Sequence, residues 1–106
     1  MSDEKRRAPR LNVNLPVCWE GVLEKQEATV TSLSTSGCFV LTGGKVEPRE
    51  LIRLELVLHD KSLLRLWAEV VDEAYEIGFA ARFIGVEDED HLRLAALILA
   101  ALSDPS

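Results

Sequence analysis

Lys5-Arg6-Arg7-Ala8-Pro9-Arg10 gathers four of the chain's twelve basic residues into six positions. The 106-residue chain carries a formal charge of −6, so the cluster stands against an acidic background. Arg6 and Arg10 are four apart, and Arg7 adds a third guanidinium. A guanidinium grips phosphate through two parallel hydrogen bonds and stacks flat on a purine; an ammonium does only part of that. The negative total argues against a protein that coats DNA or RNA by its overall field. A basic cluster in such a chain suits one small, highly charged ligand better than a long polyanion. Taken alone, the segment also reads as a solvated basic tail.

A second stretch follows about twenty residues later. Ser32-Leu33-Ser34-Thr35-Ser36-Gly37 sets hydroxyls at alternating positions and ends in glycine. Side chains two apart on an extended segment point the same way, which lets Ser32 and Ser34 face one ligand edge. Gly37 permits a positive φ or a close approach of backbone to ligand. By itself this is a generic serine-rich turn.

The elements that must position these residues are mostly strands. From Leu11 the pattern has a period of two, with Val13, Leu15, Val17 and Trp19 on one face. A second strand is expected around Ala28 to Ser32, and a third over Cys38 to Leu41. Leu51 to Leu58 places Ile52, Leu54, Leu56 and Leu58 together. Leu63 to Val71 does the same with Leu64, Leu66, Ala68 and Val70, and leaves Trp67 facing outward. Ala74 to Phe83 gives a last strand with Ile77, Phe79, Ala81 and Phe83 inward. Six short strands at regular spacing predict a mainly β fold, a six-stranded antiparallel β-barrel, because closure leaves no edges to protect.

The period then changes. Asp88 is a candidate N-cap, and a C-terminal α-helix is expected from about Glu89 to Leu102. It carries two apolar stripes, Leu92/Ala95/Ala96/Leu99 and Leu94/Leu97/Ile98/Ala101. One suffices for a helix on a small barrel. The other either covers a barrel mouth more fully or meets a partner protein or a second copy of the chain. The division expected is a flexible basic N-terminal arm over 1–10, a barrel over 11–86, and a helix and tail of the same domain over 87–106.

The remaining chemistry is sparse. Cys18 and Cys38 lack metal-ligand spacing and read as reduced structural thiols. His59 and His91, each beside an acid, read as solvated surface groups, and no metal site or cofactor is expected. No nucleophile–base pair or triphosphate loop points to an enzyme. No apolar run reaches the roughly 20 residues of a membrane span, so membrane insertion is not expected. The first residues lack the apolar core of a signal peptide, so the expected location is the cytoplasm. A small barrel binding single-stranded nucleic acid needs exposed stacking aromatics; the six aromatics here fall mostly among apolar neighbours, including Phe39, Phe79 and Phe83.

Together the two motifs resemble the PilZ domain, a bacterial receptor for cyclic di-GMP. That family carries Arg-x-x-x-Arg near its N-terminus and, roughly twenty to thirty residues on, Asp/Asn-x-Ser-x-x-Gly. Arg6 to Arg10 match the first half, and Ser34 and Gly37 match the second. Ser32 stands where the family has Asp or Asn. Gly78-Phe79-Ala80-Ala81-Arg82-Phe83 resembles the family's last barrel strand, so the likeness runs over about residues 5 to 102. The resemblance implies that Arg6 and Arg10 hold the ligand phosphates and stack on guanine, with Arg7 as an auxiliary contact. It implies that Ser34 and the backbone to Gly37 receive a guanine edge. Gly78 and Ala80 would leave room for a flat base; Arg82 shares their face, either for ligand or for a cross-strand ion pair. At Ser32, loss of a charge-assisted hydrogen bond is expected to weaken binding by about 1.5–3 kcal/mol, roughly 10- to 150-fold. A protein-interaction adaptor of the same family that binds the nucleotide weakly or not at all is the other reading.

Overall fold

The computed structural model describes residues 10–74, 77–85 and 88–103. Six strands precede one helix: β1 (Leu11–Glu20), β2 (Lys25–Leu33), β3 (Gly37–Leu41), β4 (Leu51–Val57), β5 (Leu63–Ala74), β6 (Gly78–Ile84) and α1 (Glu89–Ser103). All neighbouring strands pair antiparallel, in the order β1-β2-β3-β6-β5-β4, and β4 returns to β1 to close the barrel. This is the mainly β, six-stranded antiparallel barrel with a C-terminal helix that the alternation predicts.

The alternation works because each strand buries one face. Leu15, Val17 and Trp19 from β1 meet Ile52, Leu54 and Leu56 from β4, and Leu64, Leu66, Ala68 and Val70 from β5. Trp19 and Phe79, both fully buried, pack edge to face with centroids 5.3 Å apart. The indole N–H of Trp19 donates to Thr42 Oγ1 at 3.3 Å, so this polar tip is not stranded in the core. Burying each such large side chain contributes on the order of 1.5–3 kcal/mol.

Three register shifts bend the ladder. They fall between Asn12 and Leu15 in β1, Val30 and Ser32 in β2, and Val70 and Asp72 in β5. An extra residue in one strand breaks the period of two locally and sharpens the twist that closure needs. The β2 shift is why Val30 and Leu33 both turn inward despite lying three apart.

Some local expectations change. β2 starts earlier, at Lys25, and β5 continues to Ala74, which pairs directly with Gly78. Ile77 is therefore a turn residue, 55 % exposed, and not part of the inward face. Its N–H donates to the Ala74 carbonyl at 2.9 Å, and its carbonyl accepts from Thr42 N–H at 3.0 Å. Phe39 lies half-buried on the outer face of β3, because inward positions there go to Cys38 and Val40. His91 is buried, 6 % exposed, against the expectation of a solvated histidine. It shares a helical stripe with Leu94 and Ile98, the two α1 residues that enter the core. Leu92 and Leu97 face outward. Among the described residues no helix is long and apolar enough to cross a membrane.

Candidate functional site

The pairing of β1 with β2 brings the two sequence motifs together. Leu11 lies opposite Leu33 and Asn12 opposite Ser32, so Arg10, just before β1, reaches across. Its Nη1 donates to Ser32 Oγ at 3.0 Å. Two residues 22 apart in sequence thus share one hydrogen bond at the surface. Arg6 and Arg7 lie outside the described residues.

The rung that starts at Asn12 and Ser32 continues around the outside of the barrel. Ser32 pairs with Phe39, Phe39 with Ala80, and Ala80 with Asp72. Hydroxyl, aromatic ring and methyl therefore form a row across β2, β3 and β6. The neighbouring rung runs Gly37, Arg82, Glu69.

The arginines at the two ends differ in availability. Among the described residues Arg10 is exposed and hydrogen-bonds only a neutral hydroxyl, so its charge has no carboxylate partner. Arg82 is engaged by Glu69 directly across the strands, and Arg49 Nε reaches the same carboxylate at 3.3 Å. The hydrogen bond from Arg82, helped by the charges of Arg82 and Arg49, holds the Glu69 carboxyl below its ordinary value. Of the two positions open to Arg82 in the sequence, the structure places it in the cross-strand ion pair. Arg49, the second arginine on Glu69, carried no sequence signal. It precedes β4 in a left-handed conformation (φ 64°) that only the fold reveals.

Ser34 and Gly37 are built into the turn itself. Because β2 ends at Leu33, Ser34 does not continue the alternation from Ser32, and the two side chains do not share a face. Ser34 is 1 % exposed. Its Oγ accepts from the N–H groups of Ser36 and Gly37, both at 3.2 Å, and lies 3.3 Å from the Gly37 carbonyl to which it donates. Its N–H also donates to that carbonyl, at 2.9 Å. The hydroxyl thus fixes the shape of the 34–37 turn.

Both glycines answer to the barrel. A Cβ at Gly37 would sit 2.3 Å from the Ala81 carbonyl oxygen, and one at Gly78 would sit 2.0 Å from that of Val40. The close approach anticipated at Gly37 is therefore to β6. Gly78 is buried, with the Phe39 ring edge 3.0 Å from the place of its missing Cβ. Phe39 occupies the space over Gly78 that the sequence left open for a base, and only Ala80 remains as a small residue on the face. Beneath it Cys38 is buried, and desolvation pushes its thiol up to about 12. The Arg10 charge opposes that shift, which places Arg10 close to this part of β3 in electrostatic terms.

An apolar-walled groove lies elsewhere. It has a volume of about 400 Å³ and runs between α1 and the start of β1, with Leu11, Val13, Leu33, Leu94 and Leu97 among its walls. Its lining is mostly apolar, with His59 and Asp60 as the polar members and no arginine among the described residues, so it does not suit a phosphate ligand. The Arg10–Ser32 contact, by contrast, is exposed.

The chain superposes on MotI/DgrA, an inhibitor of motility from Bacillus subtilis, with a TM-score of 0.76 at 17 % identity, covering 96 % of this chain and 53 % of that one. It matches the PilZ domain of CeSA from a cellulose-synthesizing bacterium at TM-score 0.70 and 17 % identity, over 90 % of this chain and 99 % of that. It also matches Escherichia coli YcgR, solved in complex with c-di-GMP, at TM-score 0.73 and 14 % identity, over 92 % and 46 %. The chain spans about half the length of MotI and YcgR, and identities this low speak for the fold. No curated protein sequence matches. The PilZ domain family model matches residues 4–100, from before Arg6 through most of α1. A match over nearly the whole barrel and its helix, on a fold shared with solved PilZ structures, establishes that the chain belongs to the PilZ domain family.

Proposed function

We propose that this chain is a cyclic di-GMP receptor or adaptor domain, whose N-terminal arginines close on the ligand against the outer face of β2, β3 and β6. The Arg10–Ser32 hydrogen bond carries the reading. It joins the arginine motif to the strand motif, and among the described residues no carboxylate neutralises the arginine. Family membership and the nucleotide-bound YcgR neighbour support the ligand class. On this reading Arg6 and Arg10 grip phosphate and stack on guanine, and Arg7 adds a phosphate contact. Ser32 meets part of the guanine edge, and the backbone from Ser34 to Gly37 meets the rest. Ser34, Gly37 and Gly78 act by holding the surface in shape. Arg82 touches ligand only by leaving Glu69. The domain binds rather than catalyses, and a soluble second messenger places it in the cytoplasm.

Calorimetric titration with cyclic di-GMP tests this directly. Saturable binding in the micromolar to sub-millimolar range is expected, weakened at least roughly 10-fold in Arg6→Ala and Arg10→Ala, the loss of one charge-assisted hydrogen bond or more. Absence of saturable heat, or alanine variants that bind like wild type, would sink the proposal. Ser32→Asp should tighten binding by about 10-fold, the lower end of what a charged acceptor contributes. The gain is limited because the new carboxylate first meets Arg10, and an exposed ion pair of about 0–1 kcal/mol must loosen.

A second reading is favoured by Ser32 itself and by the outward Leu92 and Leu97 of α1. Here the domain is a protein-interaction adaptor that binds the nucleotide weakly or not at all. Its mark is a partner, or self-association, retained after the arginines are removed; a strictly monomeric, partnerless protein counts against it.

A further inference from the structure

His91 is a buried polar side chain that the proposed ligand chemistry does not use. It lies in the first turn of α1, yet its Nε2 is 2.8 Å from the backbone carbonyl of Thr35, at the tip of the 34–37 turn. A carbonyl only accepts, so Nε2 carries the proton and donates. In the neutral ring Nδ1 is then an acceptor, and it is buried with no partner among the described residues. An orphaned buried acceptor costs free energy, on the order of 1–3 kcal/mol. The ring persists there on the strength of its other contacts. Its edge packs on Phe83, with centroids 5.8 Å apart and planes at 78°. Phe83 in turn donates its N–H to the Ser36 carbonyl at 2.9 Å.

The two carbonyls at the tip of the turn are therefore each held from outside it, one by α1 and one by β6. The two holders touch each other. α1 is also fixed by Leu94 and Ile98 in the core and by Asp90 Oδ2, which accepts the Arg65 N–H at 2.8 Å. Among the described residues, the turn thus reaches α1 through one side-chain hydrogen bond.

We infer that His91 is a positioning residue that couples the 34–37 turn to the docking of α1, so that the ligand face and the helix change state together. The part of this concerning ligand rests on the proposed function; the coupling itself does not. Coupling free energy is reciprocal. Whatever holds α1 against the barrel tightens the ligand face, and ligand seated on the turn secures α1. In this way a site on β2 and β3 is made legible at the outward surface of the helix.

Backbone hydrogen exchange and imidazole ¹⁵N spectra of the full chain test the coupling without ligand. In wild type the His91 proton is expected on Nε2. In His91→Leu, which keeps the burial but loses the donor, the amides of Gly37 and Phe83 and those of Leu94 to Ile98 should exchange roughly 5-fold faster or more, while those of β4 stay unchanged. His91→Gln, whose amide N–H can reach the same carbonyl, should restore protection. A proton on Nδ1, turn amides as protected in His91→Leu as in wild type, a loosened turn with an unchanged α1, or uniform loosening that includes β4 each overturns the coupling. If His91→Leu fails to fold, the wild-type tautomer and protection in His91→Gln decide. Cyclic di-GMP is titrated separately: weakening of about 5-fold in His91→Leu, recovered in His91→Gln, extends the coupling to ligand. Equal affinity in all three removes that extension. A wild-type protein that binds no nucleotide overturns the proposed function, and the exchange data still decide the coupling.

Discussion

At the scale of single residues, the proposed site divides labour between groups placed to meet ligand and groups that hold the surface. On that proposal Arg10 and Ser32 belong to the first kind, while Ser34, Gly37 and Gly78 are built into the turn and barrel. The assignment at Gly37 has a measurable consequence. A methyl group there meets the Ala81 carbonyl, and overpacking against backbone costs about 1–3 kcal/mol. Gly37→Ala should therefore lower the unfolding midpoint in denaturant. A variant as stable as wild type, with ligand binding alone lost, would put the glycine back among the ligand contacts. The cysteines separate in the same manner. Cys38 is buried with its thiol raised to about 12, whereas Cys18 is half-buried on the outer side of β1. Thiolate is the reactive form. An alkylating reagent at pH 8 should modify at most one thiol in the native protein, Cys18, and both after unfolding. Rapid native labelling of Cys38 would mean that β3 opens.

At the scale of elements, the turns carry most of the local strain. The β4–β5 hairpin closes through His59-Asp60-Lys61, where Lys61 takes a left-handed conformation at φ 74°. Its N–H donates to the Leu58 carbonyl at 2.9 Å, and Ser62 N–H donates to Asp60 Oδ1 at the same distance. A left-handed residue with a Cβ costs about 1–2 kcal/mol, and glycine's extra chain entropy returns roughly 0.5–1 kcal/mol of that. Lys61→Gly should thus stabilise by about 0.5–1 kcal/mol, read as a higher midpoint with an unchanged denaturant slope. Loss of stability would mean the lysine side chain has a role that its exposed position conceals. This hairpin borders the apolar groove beneath α1, so the change leaves the arginine face untouched.

At the scale of the whole molecule, Arg10 and the ion-paired Arg82 and Arg49 stand within a chain of formal charge −6. Glu69 sits between Arg82 and Arg49, and their contacts hold its carboxyl below the ordinary value of 4.5. A depressed folded value means the folded state binds fewer protons than the unfolded chain. The resulting stability is present above the ordinary glutamate range and is lost as pH falls through the folded value. Glu69→Gln should therefore flatten the acid limb of stability below about pH 4.5, with little change in its shape near neutrality. The difference should shrink in high salt, because the arginines are exposed and screened. An acid limb of the same steepness in both proteins would remove Glu69 from the account. The same substitution frees Arg82 and Arg49, so tighter nucleotide binding in Glu69→Gln would bring Arg82 onto the ligand.

The barrel, the helix and both motifs are legible in the order of the residues alone. Alternation reports burial directly wherever a strand keeps one face in the core, and the arginine and serine motifs are local in sequence. It misjudged the places where that periodicity breaks. Ile77 falls in a turn because β5 runs on to Ala74, and Ser34 turns inward because β2 stops at Leu33. Phe39 faces outward because Cys38 and Val40 take the core positions of a five-residue strand. His91 hides on the stripe of Leu94 and Ile98, a histidine at a core position that composition does not distinguish from a surface one. Only the tertiary structure decided that Arg10 bonds Ser32, that Glu69 claims Arg82, and that Thr35 is held by the helix. Those contacts depend on strand register and barrel closure, which juxtapose residues far apart in sequence, and no local pattern encodes which partners the closed sheet will bring together.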